Sequence, residues 1–392
     1  MTAGWETKPL GETCEVLDKL RKPITKKDRI AGDVPYYGAT GIVDYVEGFL
    51  FDELLVLVGE DGAKWKAGDN TAFEISGKTW VNNHAHVLRP LRDQMLDQWL
   101  IYFLNFSDLS EYITGVTVPK LNQKKLRSIP IPLPPLEEQK RIVAVLDAAF
   151  EGLDRARANT EANLQNARDL FESGLDAAFN SDDENWEIRK FGDTELLNII
   201  DGDRGKNYPK KSDFHSEGYC LFLNTKNVRP DGFNFDQCQF IDEKRDELLR
   251  KGKLKPRDVL LTTRGTIGNI AVFDDAVPYE NIRINSGMLI LRPNEDYLMA
   301  EYLFEVLRSG FVKSQIELKT SGAAQPQLPI KTLVTIEFPV PISRTEQSKL
   351  VNRMKGLSAK TDELFDGYQS KLADLDDLRQ SLLQKAFAGE LT

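Results

Sequence analysis

The 392-residue chain contains only three Cys and three His residues. An odd number of widely separated cysteines, Cys14, Cys220 and Cys238, argues against disulfides or a thiolate metal site and predicts a reducing, cytoplasmic location. His84 and His86 would share one face of a strand, but no clear third ligand accompanies them, so we predict no metal site. The longest fully apolar run, residues 54–58, has the length of a strand. We therefore expect a soluble protein with no signal peptide and no membrane partner.

Sequence signatures of the common nucleic-acid enzymes are also missing. The chain has no Asn-Pro-Pro-aromatic motif of adenine methyltransferases, no Gly-rich cofactor loop after a strand and no Gly-x-x-x-x-Gly-Lys-Ser/Thr phosphate loop. The nearest approach to a nuclease site is Asp231 followed by Asp242, Glu243 and Lys244, because carboxylates and a lysine can hold Mg²⁺ and polarise a phosphate. Pro-Asp-Gly is a common turn sequence, and the charged run fits an exposed helix face. A Mg-dependent nuclease is therefore the least favoured interpretation.

The formal net charge is -10, which argues against a nucleic-acid binder unless the charge is unevenly distributed. Most of the excess acid lies on residues 136–184, which carry 12 acidic and 5 basic side chains. The remaining parts are nearly neutral and contain basic clusters at residues 19–29 and 204–211. Such clusters fit a DNA-facing patch on an acidic body, but they are also typical of solvated loops.

An internal repeat is the strongest feature of the sequence. Trp5-Glu6 and Trp186-Glu187 each begin a block with the same order of basic, apolar, Gly and acidic positions. Both blocks continue with a buried-strand pattern ending in a Gly turn, an Asn-led strand ending in Arg-Pro, and an aromatic amphipathic helix: residues 51–62, 82–90 and 99–106, then 256–268, 285–293 and 302–311. Landmarks at the end of the first block recur 207 residues later, and those in the following helix 208 residues later. The chain is therefore a tandem duplication.

A proline-rich segment, residues 129–136, precedes a long charged helix, because prolines cannot continue a helix and acidic residues suit its first turn. In this helix and in its second copy, apolar residues at three- and four-residue spacing predict two sides of a helical pair. The predicted seam of the second helix is Leu350, Met354, Leu357, Thr361, Leu364, Tyr368, Leu375, Leu378 and Leu382, interrupted by Lys371. Two helices of about 40 residues, at ~1.5 Å per residue, form a rod of about 60 Å, which we interpret as a spacer.

The predicted fold class is α+β, with two globular mixed α/β blocks separated by two long antiparallel helices in a coiled coil. The blocks are predicted at residues 1–135 and 181–342, and the helices at residues 136–180 and 343–392. A tandem repeat of this kind would have an approximate two-fold axis, which matches the dyad-like geometry of a DNA duplex.

Between the shared landmarks, the two blocks differ in their polar loops. Arg and Lys bind phosphates or guanine O6 and N7, Asn and Gln bond adenine N6 and N7, and Gly-rich turns let a backbone approach a groove. A structural turn is the competing explanation for each of these loop residues. The candidate DNA contacts are Lys26, Lys27, Lys64, Lys66, Asn83, Lys120, Lys124, Lys206, Lys226, Asn227, Arg229, Arg264 and Asn285. The segment around Gln325, Gln327 and Lys331 is less basic than its counterpart, residues 115–127. The two halves are therefore expected to differ in how strongly they attract DNA phosphates.

Three features together resemble the specificity (S) subunit of type I restriction-modification enzymes over essentially the whole chain. They are the Gly115-x-x-x-Pro119-x-Leu121 segment, Ile-Pro-Ile-Pro-Leu-Pro-Pro-Leu-Glu-Glu-Gln at residues 129–139 with its long helix, and their repeat at residues 322–347. The resemblance implies two target recognition domains, each reading one half of a bipartite, asymmetric site on double-stranded DNA, with the helices setting the spacer. It also implies a non-catalytic scaffold for two methyltransferase (M) subunits and two restriction (R) subunits. S-adenosylmethionine, ATP and Mg²⁺ are then expected in those partners, with no cofactor and no metal bound by this chain.

The resemblance places the M contacts at the start of each long helix, at Leu136, Glu137, Glu138, Gln139, Glu346 and Gln347. Ser343-Arg344-Thr345 stands where Pro135-Leu136-Glu137 would be expected, so the second contact is expected to be built differently. The alternative is a coiled-coil interaction scaffold, or a degenerate specificity subunit without DNA selectivity of its own. A binding selection on random duplexes would separate these interpretations.

Overall fold

The computed structural model describes residues 4–179, 185–230, 232–320 and 326–391. The chain divides into two compact units, Met1–Ala162 with Tyr368–Thr392, and Asn163–Gly367. Within the described residues, no helix is both long enough and apolar enough to cross a membrane.

The first block of the repeat is built from short strands and three short helices. Two of its sheets have four strands, in the orders β2-β9-β6-β7 and β4-β3-β8-β5, and β1 pairs with β10. The elements are β1 (Glu6–Pro9), α1 (Leu10–Thr13), β2 (Cys14–Val16), β3 (Ala31–Gly38), β4 (Gly41–Val46), β5 (Phe51–Asp52), β6 (Leu55–Gly59), β7 (Ala72–Ile75), β8 (Lys78–Val81), β9 (Ala85–Pro90), α2 (Asp97–Phe106), α3 (Gln123–Arg127) and β10 (Pro130–Leu133).

The central strand β6 explains why this block needs two layers around one sheet. All five of its residues are buried, and successive side chains of a strand point to opposite faces. Val56 and Val58 pack with Trp99 of α2, whereas Leu55 and Leu57 belong to a separate apolar cluster on the other face. The Trp99 indole donates a hydrogen bond to the carbonyl of Pro132 at 2.8 Å, which ties α2 to β10.

The first long helix, α4 (Leu136–Phe179), begins directly after two prolines, as predicted. Inside the first unit its side chains at Ile142, Leu146 and Phe150 are buried in the same cluster as Trp99. The amino-terminal half of α4 is therefore part of the core of the first block.

The second block repeats the β2-β9-β6-β7 sheet as β12-β20-β17-β18. A three-stranded sheet, β16-β13-β19, and the pairs β11-β21 and β14-β15 complete it. The elements are β11 (Trp186–Lys190), β12 (Leu197–Asp201), β13 (Cys220–Leu223), β14 (Val228–Arg229), β15 (Gly232–Phe233), β16 (Phe240–Ile241), α5 (Glu243–Leu248), β17 (Val259–Thr262), β18 (Ile270–Val272), β19 (Ile282–Ile284), β20 (Met288–Pro293), α6 (Ala300–Arg308), α7 (Gly310–Lys319), α8 (Ile330–Leu333) and β21 (Glu337–Pro341). The Tyr302 hydroxyl donates to the carbonyl of Pro339 at 2.8 Å, in the place taken by Trp99 in the first block.

The second long helix is α9 (Arg344–Ala388), which runs antiparallel to α4 inside each unit. In the first unit Arg157 pairs with Asp376, and in the second unit the Arg168 guanidinium lies 5.0 Å from the centre of the Phe365 ring. The α+β class with two repeated blocks and two long helices is confirmed.

Two positions of the predicted α9 seam are wrong. Leu364 is 42% exposed and Leu378 is 48% exposed, whereas Phe365 and Leu383 are turned inward. A straight helix drifts by about 20° per heptad relative to a 3.5-residue repeat, so a strict heptad assignment rotates out of the interface along a long helix.

Candidate nucleic-acid interface

Each block has the same asparagine turn, just before strand β9 in the first block and before β20 in the second. Asn82 Oδ1 accepts the His84 N–H at 2.7 Å, and Asn285 Oδ1 accepts the Gly287 N–H at 2.9 Å. Asparagine favours such turns because its side chain can bond a backbone N–H two residues on. His84 and Gly287 therefore occupy equivalent places ahead of β9 and β20.

The backbone around this turn is also repeated. The carbonyl of His84 accepts the Glu60 N–H, and that of Gly287 accepts the Thr263 N–H, both at 2.8 Å. The carbonyl of Glu60 then accepts the Leu121 N–H at 2.8 Å, as Thr263 accepts Leu328 at 3.0 Å. We call this surface the polar edge of each block: residues 60–64, 82–84 and 120–121 in the first, and 263–266, 285–287 and 327–328 in the second.

An Asp-x-x-Arg pair borders both polar edges. Arg21 lies 3.4 Å from Asp18, and Arg204 lies 3.0 Å from Asp201. Each guanidinium also reaches the edge, since Arg21 donates to the carbonyl of Asn83 at 3.5 Å and Arg204 donates to that of Ser286 at 3.4 Å. This pair was not among the predicted contacts, although its Asp-x-x-Arg spacing is repeated in the sequence.

In the first block the edge rests on a buried histidine. His86 is fully buried, with Nδ1 2.6 Å from Asp18 Oδ2 and Nε2 2.7 Å from the carbonyl oxygen of Leu121. Both ring nitrogens therefore lie within hydrogen-bonding distance of an oxygen atom. Burial raises the pKa of Asp18, but the hydrogen bond and charge of His86, the Val87 N–H and Arg21 together hold it below its ordinary value.

Two further acidic residues of the first polar edge, Glu60 and Asp61, also have basic partners or a histidine partner. Glu60 pairs with Arg21 and, at 2.9 Å, with the ammonium of Lys120, while Asp61 pairs with His84. The hydrogen bond that Lys120 donates to Glu60 is the main reason that the pKa of Lys120 is raised. Candidate residue Lys120 therefore has its charge balanced within the chain.

His84 and His86 have different surroundings. His84 is exposed and turned to Asp61, so the two histidines of the sequence pattern do not converge. Instead, Asp18, Glu60 and His86 bring ligand atoms within 4.8 Å of one another. Arg21 and Lys120 already bind these carboxylates, so the group is an ion-pair cluster in which basic side chains balance the acidic ones.

The second polar edge lacks these acids. Thr263 and Arg264 stand where the first block has Glu60 and Asp61. Among the described residues, the Arg264 guanidinium has no hydrogen-bond or ion-pair partner, and the Arg204 side chain is 50% exposed. At this edge the Arg264 guanidinium is therefore open to a ligand, whereas Arg21 and Lys120 of the first edge are held by acidic partners.

The other predicted DNA contacts fall into three groups. Asn285 is half-buried because it forms the turn described above. Asn227 is buried, accepts the Asn224 N–H and donates to the carbonyls of Asn234 and Gln237, so its amide holds a loop together instead of facing a groove. The exposed candidates are Lys26, Lys27, Lys64, Lys66, Asn83, Lys124, Lys206, Lys226, Arg229 and Arg264. Of the segment compared with residues 115–127, Gln325 lies outside the described residues.

At the start of the long helices, the two glutamines are internal clamps. Gln139 accepts the Leu96 N–H at 3.0 Å and donates to the carbonyls of Gln94 and Pro134 at 2.8 and 2.9 Å. Gln347 makes the same three bonds to Met299, Tyr297 and Pro341. Both side chains are fully buried, and their amides bind groups of this chain, whereas the prediction had placed them at a contact with a partner subunit. Leu136, Glu137, Glu138 and Glu346 remain at least partly exposed.

Asp242 of the nuclease-like string and Asp246 of the charged run that follows it have structural roles. Asp242 caps α5 by accepting the Arg245 N–H at 2.7 Å, and Asp246 is buried between Arg283 and Lys253. Burial raises the pKa of Asp246, but the hydrogen bonds and charges of Lys253 and Arg283 together lower it by more, so the net shift is downward. Asp231 lies outside the described residues.

Comparison with known proteins agrees with the duplicated architecture. The model of the type I restriction modification DNA specificity domain matches residues 2–164 and 183–372. The chain therefore belongs to this family, with one specificity domain in each half. It is a DNA specificity subunit of the type I restriction-modification class, which confirms the resemblance seen in the sequence.

Individual relatives support the same assignment. A putative type I restriction enzyme specificity subunit of Haemophilus influenzae, S.HindORF215P, is 26% identical over 367 residues, which cover 92% of this chain and 90% of that protein. A chain solved in work on complex assembly and conformational transition of the type I R-M system has a TM-score of 0.75 at 21% identity, covering 99% and 98% of the two chains. The HsdS subunit from Thermoanaerobacter tengcongensis has a TM-score of 0.57 at 20% identity, covering 99% and 97%. These two structures share the fold.

Proposed function

We propose that the chain selects a bipartite, asymmetric DNA site, with each polar edge reading one half, and that it performs no chemistry on DNA itself. The observation that carries this proposal is the repeated frame with different side chains at the same places. The turns of Asn82 and Asn285 are the same, whereas Asp61 and His84 of one edge are replaced by Arg264 and Gly287 of the other. Different donors and acceptors on one frame are suited to different base edges.

Exposed basic side chains around the edges support a DNA-facing orientation. Lys64 and Lys66 follow β6 in the first block. In the second block Lys226 precedes β14 and Arg229 is its last residue. Phosphate contacts fix the register of a protein on a duplex without reading its sequence. We propose that these three lysines and Arg229 contact the phosphates of the DNA backbone.

We further propose that two M subunits bind near the starts of α4 and α9, and that R subunits join the same complex. S-adenosylmethionine, ATP and Mg²⁺ then belong to those partners. The exposed acidic side chain of Glu137 supports a contact at the first corner. At the second corner Arg344 lies 3.3 Å from Glu295, so the charge presented to a partner differs.

The test is to express the chain with its M partner in a bacterium that has no such system and to map methylated adenines across the genome. The expected result is one motif with two fixed half-sites at constant spacing. Expression of either chain alone is the control and should leave the genome unmodified. A motif with a single half-site, or methylation by this chain alone, would contradict the proposal, and no motif at all would favour the scaffold alternative.

A further inference from the structure

We propose that Arg264 reads a guanine in the half-site bound by the second block, and that the Asp61/Arg264 position makes the two half-sites chemically different. This inference rests on the proposed function. It assigns to one position the base chemistry that the family membership leaves open.

The two residues stand at the same place on the repeated frame. Asp61 forms an isolated β-bridge with Lys120, and Arg264 forms one with Gln327. Each is followed by a glycine in the left-handed region, Gly62 at φ +69° and Gly265 at φ +72°. The backbone at this position is thus alike in both blocks, and the difference lies in the side chain.

The reversal of charge at this place indicates what the position faces. A residue directed at the phosphate backbone meets negative charge in both half-sites, so a carboxylate would be repelled there. Base edges in the major groove offer donors as well as acceptors, and either charge can be accommodated. A place that holds Asp61 in one copy and Arg264 in the other is therefore suited to bases.

The surroundings of Arg264 favour guanine. Guanine presents two acceptors, O6 and N7, which a guanidinium binds through two parallel hydrogen bonds. Arg264 is exposed and has no ionic partner among the described residues, so no internal contact must be broken. In the first block the carboxylate of Asp61 lies beside His84 and 3.7 Å from Lys120, where it would repel the guanine acceptors.

The experiment compares the methylated motif of the wild type with those of Arg264→Ala and Arg264→Lys, each expressed with the M partner. The wild-type motif should contain a guanine in one half-site. Both variants should relax that position, with roughly a 5- to 150-fold loss of discrimination against other bases, and leave the other half-site unchanged. Lysine keeps the charge but loses the paired donors, so its effect separates base reading from phosphate binding.

Lys190→Ala is the matched control, since it removes one positive charge from the two-stranded sheet β11-β21 of the same block. Its motif should equal that of the wild type. The inference is overturned if Arg264→Ala weakens modification of all sites equally with an unchanged motif, or if Arg264→Lys behaves as the wild type. A wild-type chain without a two-part motif would instead overturn the proposed function, and this inference with it. Co-purification of each variant with the M partner verifies that it is folded.

Discussion

Replacing Asp18 by Asn should destabilise the first unit strongly at neutral pH. The Asp18 carboxylate accepts hydrogen bonds from His86 at 2.6 Å, Gln123 at 2.8 Å and the Val87 N–H at 3.0 Å, and it lies 3.4 Å from Arg21. An amide in its place removes the negative charge beside Arg21, and its own N–H groups then face the donors of neighbouring residues. Breaking a buried pair by removing one partner costs about 3–5 kcal/mol.

The effect should depend on pH in a defined direction. The pKa of Asp18 in the folded chain lies below its ordinary value of 3.8, because the hydrogen bonds and charges around it outweigh its burial. A carboxyl with a lowered folded-state pKa contributes stability above its unfolded pKa and loses it as the pH falls through the folded-state pKa. The difference between wild type and Asp18→Asn is therefore expected to be constant near neutral pH and to shrink below about pH 4.

Guanidinium unfolding followed by tryptophan fluorescence can measure this difference. Four of the five tryptophans, at positions 5, 65, 80 and 99, belong to the first unit, so their emission reports mainly on that unit. Glu151→Gln is the control because Glu151 and Arg155 form a pair that is 71% exposed on both sides, for which about 0.5 kcal/mol or less is expected. Equal shifts for the two variants, or a difference that grows in acid, would refute the ion-pair cluster.

The two glutamine clamps and the Tyr302 hydroxyl give further predictions. Gln139→Leu leaves one backbone N–H and two carbonyls without their partner. We expect the free energy of unfolding of the first unit, followed by fluorescence, to fall by about 1–3 kcal/mol or more. An unchanged free energy of unfolding would contradict the clamp. Gln347→Leu should lower hydrogen-exchange protection at Met299 in the second unit while leaving the fluorescence transition of the first unit in place. Tyr302→Phe removes only the bond to Pro339 and should cost about 1 kcal/mol, and a loss several times larger would indicate a second role for this hydroxyl.

The sequence was sufficient for the parts of the fold that depend on local signals. Pro134 and Pro135 mark the start of α4 because a proline cannot continue a helix toward its own amino-terminal side. The duplication was visible because its landmarks, such as Gly115, Pro119 and Leu121, keep a constant offset to the second copy. Helix positions and the two-block organisation followed from these two kinds of evidence.

The polar edges depended on contacts that a sequence does not display. Asp18 and His86 are 68 residues apart, and neither has a neighbour in the chain that reveals the pairing. Asn227 was chosen for its amide and Gln139 for its place in the family motif. Neither criterion tells whether the donors and acceptors of a residue are already used inside the fold. The Asp-x-x-Arg spacing is repeated in the sequence, but the pair does not share the offset of the helices because insertions of different length lie between the landmarks.

The hydrogen bonds of the frame explain how two copies can keep one backbone shape with different side chains at the same places. Asn82 and Asn285 bond backbone N–H groups, which His84 and Gly287 supply equally well. The bridges at Asp61 and Arg264 are likewise made by backbone atoms. Because these contacts of the frame are made by main-chain groups and by the two asparagines, substitution at positions 61, 84, 264 or 287 is expected to leave its geometry in place. If these positions read DNA as proposed, the specificity of either half can therefore change by single residues.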